Sequence, residues 1–293
     1  MQSSTKVLST SRPGLRDYLE LVKFSHTIFA LPFALGAMLI AAQGLPALHV
    51  VGWILLAMVG ARTAAMGFNR IVDRHIDKQN PRTANREIPA GKIKVWQAAL
   101  LVVISSALFI YSAWSLNLLA FWLSFPTLAL LLGYSYCKRF TSLAHFVLGL
   151  CLGIAPMGAW IAVKGKFDLA PIALTFAVMF WVAGFDVIYA TMDDAFDRNN
   201  GIHSLVQKWG IGGALLGAKI FHAMFILLML TFGVLANLKV LFPIGVLGIA
   251  AFLIYEHALV KVEDIKRINA AFFTVNGIIS LIFLGLIILS LIG

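Results

Sequence analysis

Long apolar segments recur along the chain, and they restrict its possible folds more than any other feature. Each contains about 20 mostly apolar residues, the length of an α-helix that crosses the hydrocarbon core of a bilayer. The apolar residues are continuous rather than alternating, which argues against a membrane β-barrel. We therefore predict that the 293 residues, 60% of them hydrophobic and 12% charged, form one all-α, polytopic membrane domain. The nine predicted spans lie at about 21–43, 47–68, 95–115, 117–136, 142–163, 169–190, 210–235, 239–259 and 268–292.

Positive charges are concentrated in alternate connections between the predicted spans. The N-terminal tail, residues 1–20, and the connections after spans 2, 4, 6 and 8 hold most of the 23 Lys and Arg residues. Because cytoplasmic loops are enriched in these residues, we predict a multi-pass protein of the bacterial inner (cytoplasmic) membrane. Its N-terminus is expected in the cytoplasm and its C-terminus outside. The formal net charge of +10 follows from this topology, and we expect no nucleic-acid partner.

Acidic side chains form a stripe where span 2 leaves the membrane. Asn69, Asp73 and Asp77 are spaced four residues apart, and residues at this spacing differ by only about 40° around a helix axis. A second stripe follows span 6, where Asp193 and Asp197 have the same spacing and Asp186, seven residues before Asp193, falls on the same face. One such stripe is readily explained as solvated acids at a helix end. Two matched stripes indicate a functional site, because an acid at the bilayer centre costs about 2.5–3.5 kcal/mol.

Two groups of carboxylates suit a divalent metal ion that acts on a phosphate. Mg²⁺ takes oxygen ligands, commonly one or two carboxylates together with substrate phosphates. Basic residues would neutralise the remaining phosphate charge. The candidates are Arg82 and Arg86, four residues apart, and Lys138, which follows Tyr134 by one turn. This combination favours a departing diphosphate over an ion pathway, in which acids more often lie at mid-span.

Four motifs carry these residues: NRIVDRHID from Asn69, NPRTANREIPAG from Asn80, YSYCK from Tyr134 and DVIYATMDDAFD from Asp186. Together they resemble the UbiA superfamily of intramembrane prenyltransferases, and the resemblance covers nearly the whole chain, including the count of nine helices. It implies a helical bundle with a central cavity. The loops after helices 2 and 6, at residues 69–94 and 191–209, would cap this cavity on the cytoplasmic side.

The resemblance also implies the substrates and the site. It implies two Mg²⁺ ions, a polyprenyl diphosphate whose tail lies in the cavity, an aromatic carboxylate as acceptor, and surrounding membrane lipid. The matching metal ligands are Asn69, Asp73 and Asp77 for one ion and Asp193 and Asp197 for the other, and the four aspartates are the predicted catalytic residues. The residues that match diphosphate contacts are Arg82, Arg86, Tyr134 and Lys138.

The predicted reaction transfers the polyprenyl group to an aromatic ring in ubiquinone or menaquinone biosynthesis and releases diphosphate. Two acceptors stay open, 4-hydroxybenzoate and a dihydroxynaphthoate. The segment RNNGIHSL, from Arg198, replaces the basic K-I-G-x-K-S stretch of many 4-hydroxybenzoate enzymes. The segments KFSHTIFALPFALGAML and ARTAAMGFNR resemble a bacterial branch linked to the futalosine route to menaquinone, which makes the dihydroxynaphthoate plausible.

Three further residues are candidates for the acceptor site, each with a structural alternative. Arg62 lies seven residues before Asn69 on the same stripe, about 16 Å from Asp73 along the helix axis. It would either bind the acceptor carboxylate with its planar fork or pair within the bundle. Asp186 is either the base that takes the ring proton or a structural hydrogen-bond partner. His26 is either a residue near the cavity mouth or a packed or capping residue.

Two other functions stay open at this point. A CDP-alcohol phosphotransferase also uses intramembrane aspartates and a divalent metal, but its D-G-x2-A-R motif is absent from the sequence. A transporter for a cation or an organic anion would use paired acidic groups without releasing diphosphate. Diphosphate release from a polyprenyl diphosphate in the presence of Mg²⁺ therefore separates a prenyltransferase from both.

Overall fold

The structure is a computed structural model that describes residues 13–23, 27, 29–259 and 274–292. Regular structure within these ranges is entirely helical. The α-helices, in chain order, are α1 (Leu15–Leu21), α2 (Leu31–Ala42), α3 (Leu48–Gln79), α4 (Val95–Leu116), α5 (Leu118–Cys137), α6 (Ala144–Lys164), α7 (Leu169–Ala190), α8 (Asp194–Asn199), α9 (Leu205–Leu235), α10 (Leu241–Leu259) and α11 (Asn276–Ile292). A 3-10 turn at Thr191–Asp193 joins α7 to α8.

Seven segments in the described ranges are long and apolar enough to cross a membrane. They are α3, α4, α5, α6, Leu169–Asn199 (α7 with α8), α9 and α10. Helices α2 and α11 are also apolar but contain only 12 and 17 residues. The prediction of an all-α fold with several membrane-spanning helices is confirmed for the described residues.

The predicted boundaries of the first span differ from the structure. The prediction of one helix over 21–43 is wrong, since α1 ends at Leu21 and α2 begins only at Leu31. Pro32 explains the start of α2, because proline lacks an N–H and fits the first turn of a helix. For the last predicted span, residues 268–273 lie outside the described ranges.

Both motif-bearing segments contain more helix than predicted. α3 continues to Gln79 and has 32 residues, so it is about 48 Å long and exceeds the hydrocarbon core of about 30 Å. The stripe from Asn69 to Asp77 is therefore part of a continuous helix. α9 begins at Leu205 rather than at 210, and the non-helical backbone of Gly210 (φ 69°, ψ 168°) makes a kink at the predicted boundary.

Helix α7 lies in the largest hydrophobic core of the bundle. Its buried side chains include Leu174 and Trp181, and it packs mainly against α6 and α9. Phe33 of α2 contacts Trp181 with 5.1 Å between the ring centroids, and it stacks on Phe283 of α11 at 4.5 Å. These aromatic contacts hold the two shorter apolar helices to the same core as α7.

Two glycines on α6 permit its close approach to α7. A Cβ atom at Gly149 would lie 2.3 Å from the Met179 carbonyl oxygen, and one at Gly153 would lie 2.4 Å from that of Thr175. Small residues four apart let membrane helices pack with their backbones close together. The α6–α7 contact therefore depends on the absence of a side chain at these positions.

The variant Gly149→Ala is expected to be less stable than the wild type by about 1–3 kcal/mol, because the added methyl group must push α6 away from α7. Gly158→Ala is the matched control, since it makes the same change on the same helix with no atom within 4 Å of the new Cβ. Thermal unfolding in detergent measures both. Equal midpoints for the two variants would contradict the assigned close contact.

Candidate functional site

Asp73 is a buried carboxylate on α3, with only 1% of the residue exposed, and basic side chains surround it. Lys138 Nζ donates to Asp73 Oδ2 at 2.6 Å, and Arg139 Nη2 donates to Asp73 Oδ1 at 3.3 Å. Asn69 Nδ2 also donates to Asp73 Oδ2, at 3.0 Å. A buried carboxylate is costly unless it is paired and hydrogen-bonded, and here two cations from the end of α5 supply the pairing.

Asp77, one turn further along α3, is buried as well. Arg86 Nη1 donates to Asp77 Oδ1 at 2.7 Å, and Thr83 Oγ1 donates to the Asp77 main-chain oxygen at 3.0 Å. Asp77 Oδ2 is buried without a hydrogen-bond partner in the described part of the chain. This oxygen therefore keeps its full capacity to accept a hydrogen bond or to ligate a cation.

The motif that begins at Asn80 contacts the motif that begins at Asp186 through Arg82 and Asp193. Arg82 binds both carboxylate oxygens of Asp193, with 2.9 Å between Nε and Oδ1, and its Nη1 donates to the Tyr189 hydroxyl at 2.6 Å. Asn80 Nδ2 donates to Asp193 Oδ1 at 3.1 Å. Burial lowers the pKa of Arg82, but the hydrogen bonds and charge interactions with Asp193 and Tyr189 together outweigh burial, and the pKa lies above its ordinary value. The guanidinium is therefore a permanent cation at this junction.

Asp197 completes the second group. Asp193, Lys138 and Arg82 lie close enough to interact with it electrostatically. Lys138 thus faces both acidic stripes, and its main-chain oxygen accepts a hydrogen bond from the His203 N–H at 2.8 Å. The structure brings the two stripes together at one end of the bundle, joined by basic side chains.

An apolar cavity of about 200 Å³ begins beside this cluster. It lies among α3, α4, α5 and α6, and most of its lining side chains are Ala, Leu, Ile and Met. Tyr134 lines it one turn before Lys138, and Arg62 lines it deeper along α3. The cavity is therefore an apolar space that reaches the neighbourhood of the charged cluster at Tyr134.

Two arginines on α3 hold the chain that precedes α2. Arg62 Nη2 donates to the Lys23 main-chain oxygen at 2.7 Å, and Arg70 Nε donates to that of Leu21 at 3.2 Å. Arg62 Nε has no hydrogen-bond partner among the residues described. Arg62 thus makes the carbonyl contact expected of a structural residue and also lines the cavity.

Asp186, which helical spacing assigned to the second stripe, pairs with a histidine of α6. Its Oδ2 contacts His145 Nδ1 at 2.7 Å, and the Leu205 N–H donates to His145 Nε2 at 3.4 Å. Nδ1 is therefore the donor to Asp186, and the chain of contacts links α7, α6 and α9. α7 ends at Ala190 and a 3-10 turn follows, so the helical phase from Asp186 to Asp193 is interrupted. His26 lies outside the described residues.

Sequence reasoning missed three side chains of this cluster: Asn80, Arg139 and Tyr189. Tyr189 lies four residues before Asp193, a spacing that points to it in the sequence, although a 3-10 turn interrupts the helix between the two residues. Arg139 directly follows Lys138, and helical phase separates neighbours by about 100°. Helical phase does not apply to Lys138 and Arg139, because α5 ends at Cys137. Both cations therefore reach the same carboxylate from the end of the helix.

The donor set fits magnesium. Carboxylate and amide oxygens are the ligands of hard divalent cations, and the buried, unpartnered Asp77 Oδ2 is such a donor. Within the described ranges, no three His, Cys, Asp or Glu side chains converge closely enough to hold a metal ion by themselves. Mg²⁺ usually takes only one or two carboxylates and completes its shell with phosphate oxygens and water. The site therefore suits an ion that is shared with a phosphate-bearing ligand.

Comparison with known proteins assigns the family. The UbiA prenyltransferase family matches residues 30–278. The chain belongs to this family. A 4-hydroxybenzoate octaprenyltransferase of Aromatoleum aromaticum is 30% identical to this UbiA-family chain over 275 residues, which cover 92% of the chain and 93% of that protein. One of Actinobacillus pleuropneumoniae serotype 5b is 34% identical over 197 residues, 66% of the chain and 67% of that protein.

Solved structures agree with this assignment. A UbiA homologue from Aeropyrum pernix K1, solved in its apo form, is 34% identical with a TM-score of 0.81, covering 90% of the UbiA-family chain and 97% of the homologue. A homologue from Archaeoglobus fulgidus bound to GPP and Mg²⁺ shares the fold, with a TM-score of 0.74. It is 21% identical, and the match covers 94% of this chain and 100% of the homologue. The predicted resemblance is confirmed, and the UbiA-family chain is a prenyltransferase. These similarities do not support the phosphotransferase or the transporter.

Proposed function

We propose that this protein transfers a polyprenyl group from a polyprenyl diphosphate to 4-hydroxybenzoate in ubiquinone biosynthesis. The C1–O bond to diphosphate breaks, a bond from C1 to a ring carbon forms, and the ring loses a proton. The names of the relatives favour 4-hydroxybenzoate over a dihydroxynaphthoate. The observation that carries the proposal is the position of the acidic–basic cluster at the end of an apolar cavity.

The cluster is proposed to bind the diphosphate with two Mg²⁺ ions. When bound, Mg²⁺ would supply Lewis-acid stabilisation of the departing diphosphate. The residues that would hold the ions are Asn69, Asp73 and Asp77 for one and Asp193 and Asp197 for the other. Support for magnesium comes from the oxygen-only donor set and from the Archaeoglobus fulgidus homologue, which binds GPP and Mg²⁺.

The basic side chains are proposed to contact the diphosphate oxygens. Arg82, Arg86 and Lys138 each already contact a carboxylate, and Arg and Lys form the same charge-assisted hydrogen bonds with phosphate. Tyr134 lies between Lys138 and the apolar cavity. Its ring is a suitable aromatic face for the allylic cation that develops as the C1–O bond weakens.

The cavity is proposed to hold the prenyl tail, away from water. α2 and α11 would complete a set of nine membrane helices, and the segments at 69–94 and 191–209 would cap the site. The distribution of Lys and Arg supports a cytoplasmic N-terminus, an outer C-terminus and a location in the bacterial inner membrane. The diphosphate would then bind from the cytoplasmic side.

The purified protein in lipid nanodiscs, supplied with Mg²⁺, a polyprenyl diphosphate and one acceptor at a time, tests the proposed reaction. We expect diphosphate release and a prenylated product with 4-hydroxybenzoate. A product formed only with the dihydroxynaphthoate would overturn the proposed acceptor and keep the reaction class. Absence of diphosphate release with every acceptor would overturn the proposed function.

Arg62→Lys is expected to raise the acceptor KM by about tenfold or more, because lysine lacks the planar fork that would bind the acceptor carboxylate. A hydrogen bond to a charged group contributes about 1.5–3 kcal/mol, and the variant is expected to lose this contribution. The prenyl diphosphate KM is expected to stay near the wild-type value. Arg70→Lys is the matched control, because Arg70 also donates to a main-chain oxygen from α3 but does not line the cavity. If both variants lose only thermal stability, Arg62 is structural.

A further inference from the structure

A second, polar pocket lies beside the cluster, between the turn that joins α5 to α6 and the start of α9. Its volume is about 440 Å³. It is lined by Phe140, Thr141, Ser142, His203, Ser204, Gln207 and Lys208. None of these residues is among those proposed to bind the metal ions, the diphosphate or the acceptor, although the four from α9 and the turn before it lie in the segment 191–209 that would cap that site. The two sites touch through the hydrogen bond from His203 to the main chain of Lys138.

The pocket is rich in hydrogen-bond donors. Thr141 Oγ1 accepts from the Leu143 N–H at 3.2 Å, which leaves the hydroxyl proton for another partner. Ser204 Oγ likewise accepts from the Gln207 N–H at 3.2 Å. Gln207 Nε2 is buried without a hydrogen-bond partner among the residues described. A buried donor without a partner is costly, so this arrangement suits a ligand that brings several acceptor oxygens.

The charge of the pocket and the side chains around it narrow the chemical class of the ligand further. Lys208 brings a positive charge, and no carboxylate is found among the described lining residues. Large apolar side chains flank the pocket: Phe140 is 69% exposed, Leu143 53% and Trp209 44%. Of these three, Trp209 is of the type that is enriched at the headgroup level of a bilayer. The exposed apolar rim suits contact with lipid, and the pocket lies at the end of the bundle that carries the acidic stripes.

We propose that this pocket binds the phosphate headgroup of an anionic phospholipid. The phosphate oxygens accept hydrogen bonds from Lys208, from the Gln207 amide and from the Ser204 hydroxyl. The acyl chains lie along the exposed apolar side chains of Phe140 and its neighbours. Free phosphate or diphosphate offers the same oxygens, but only a lipid also covers the apolar rim, and basic segments at the cytoplasmic surface attract anionic lipids.

Native mass spectrometry of the detergent-purified protein, titrated with phosphatidylglycerol or phosphatidylcholine, tests the proposal. We expect one phosphatidylglycerol per chain to bind at least about tenfold more tightly than phosphatidylcholine. Lys208→Gln is expected to remove most of this preference, and Gln207→Leu to weaken it. Lys166→Gln is the control, because it removes the same charge beyond the far end of the 21-residue α6, about 30 Å away.

Three results would overturn the proposal. Equal retention of the two lipids by the wild type would do so without any variant. Displacement of phosphatidylglycerol by millimolar inorganic phosphate or diphosphate, at constant ionic strength, would identify a free phosphate compound as the ligand. Equal phosphatidylglycerol affinities of Lys208→Gln and Lys166→Gln would place the lipid elsewhere. Thermal unfolding of each variant verifies its fold.

Discussion

Changing Asp73 to asparagine is expected to lower the rate of prenyl transfer by about 10³-fold or more. This corresponds to a loss of about 4 kcal/mol of transition-state stabilisation. The change keeps the size of a buried side chain and removes the charge that Lys138 and Arg139 contact at 2.6 and 3.3 Å. The same loss is expected for Asp193→Asn, which removes the carboxylate that Arg82 and Asn80 bind. Initial rates of diphosphate release at saturating Mg²⁺ measure both effects.

Asp194→Asn is the matched control for these two variants. Asp194 directly follows Asp193 but pairs with Arg198, one turn along α8, at 3.0 Å. A partly exposed ion pair of this kind contributes little, so the rate is expected to stay within about threefold of the wild type. Thermal unfolding of all three variants separates lost chemistry from lost folding. A folded Asp73→Asn protein with near-wild-type rates would overturn the two-ion proposal.

Removing divalent metal ions is expected to abolish prenyl transfer, because the departing diphosphate then lacks its Lewis acid. Exhaustive dialysis against EDTA should reduce diphosphate release by about 10³-fold or more. Adding Mg²⁺ or Mn²⁺ should restore it, since carboxylate and amide oxygens with phosphate suit both ions. The measurement is a metal titration of the dialysed protein with the substrates present.

Chelation is expected to leave the folded protein intact. Asp73, Asp77 and Asp193 each pair with a basic side chain of the protein itself, so three of the four proposed carboxylate ligands keep a charge partner when metal is removed. The midpoint of thermal unfolding should therefore change by no more than about 2–4 °C. Undiminished activity after chelation would contradict the proposed role of magnesium, and a large loss of stability would show a structural metal instead.

The pairing of acids and bases gives the proposed site a simple electrostatic design. Arg82 contacts Asp193, Arg86 contacts Asp77, and Lys138 contacts Asp73. On the proposed function, magnesium and diphosphate enter together and bring charges of both signs. Asp73, Asp77 and Asp193 would then hold a metal ion in place of a basic side chain, and the three basic side chains would contact phosphate oxygens in place of carboxylates. The charge of these pairs would thus be compensated before and after binding.

Local patterns in the sequence were sufficient for the fold class and for much of the candidate site. The apolar runs predicted a helical membrane protein, because a bilayer sets the length and composition of a spanning helix. The four-residue spacing on α3 identified Asp73 and Asp77, because helical phase is a property of neighbouring residues. The same reasoning failed where the helix itself stops: it extended the first span through the break before Leu31, and it carried the second stripe from Asp186 across the end of α7.

Only the tertiary structure decided which partners these side chains have. Lys138 reaches Asp73 across 65 residues of sequence, and Arg82 reaches Asp193 across 111. Contacts at such separations depend on how the helices pack, and a local spacing rule carries no information about that. Packing likewise put Asp186 on His145 and gathered side chains of α3, α4, α5 and α6 into one cavity. The sequence thus determined which residues are chemically capable, and the arrangement of the helices decided which of them meet.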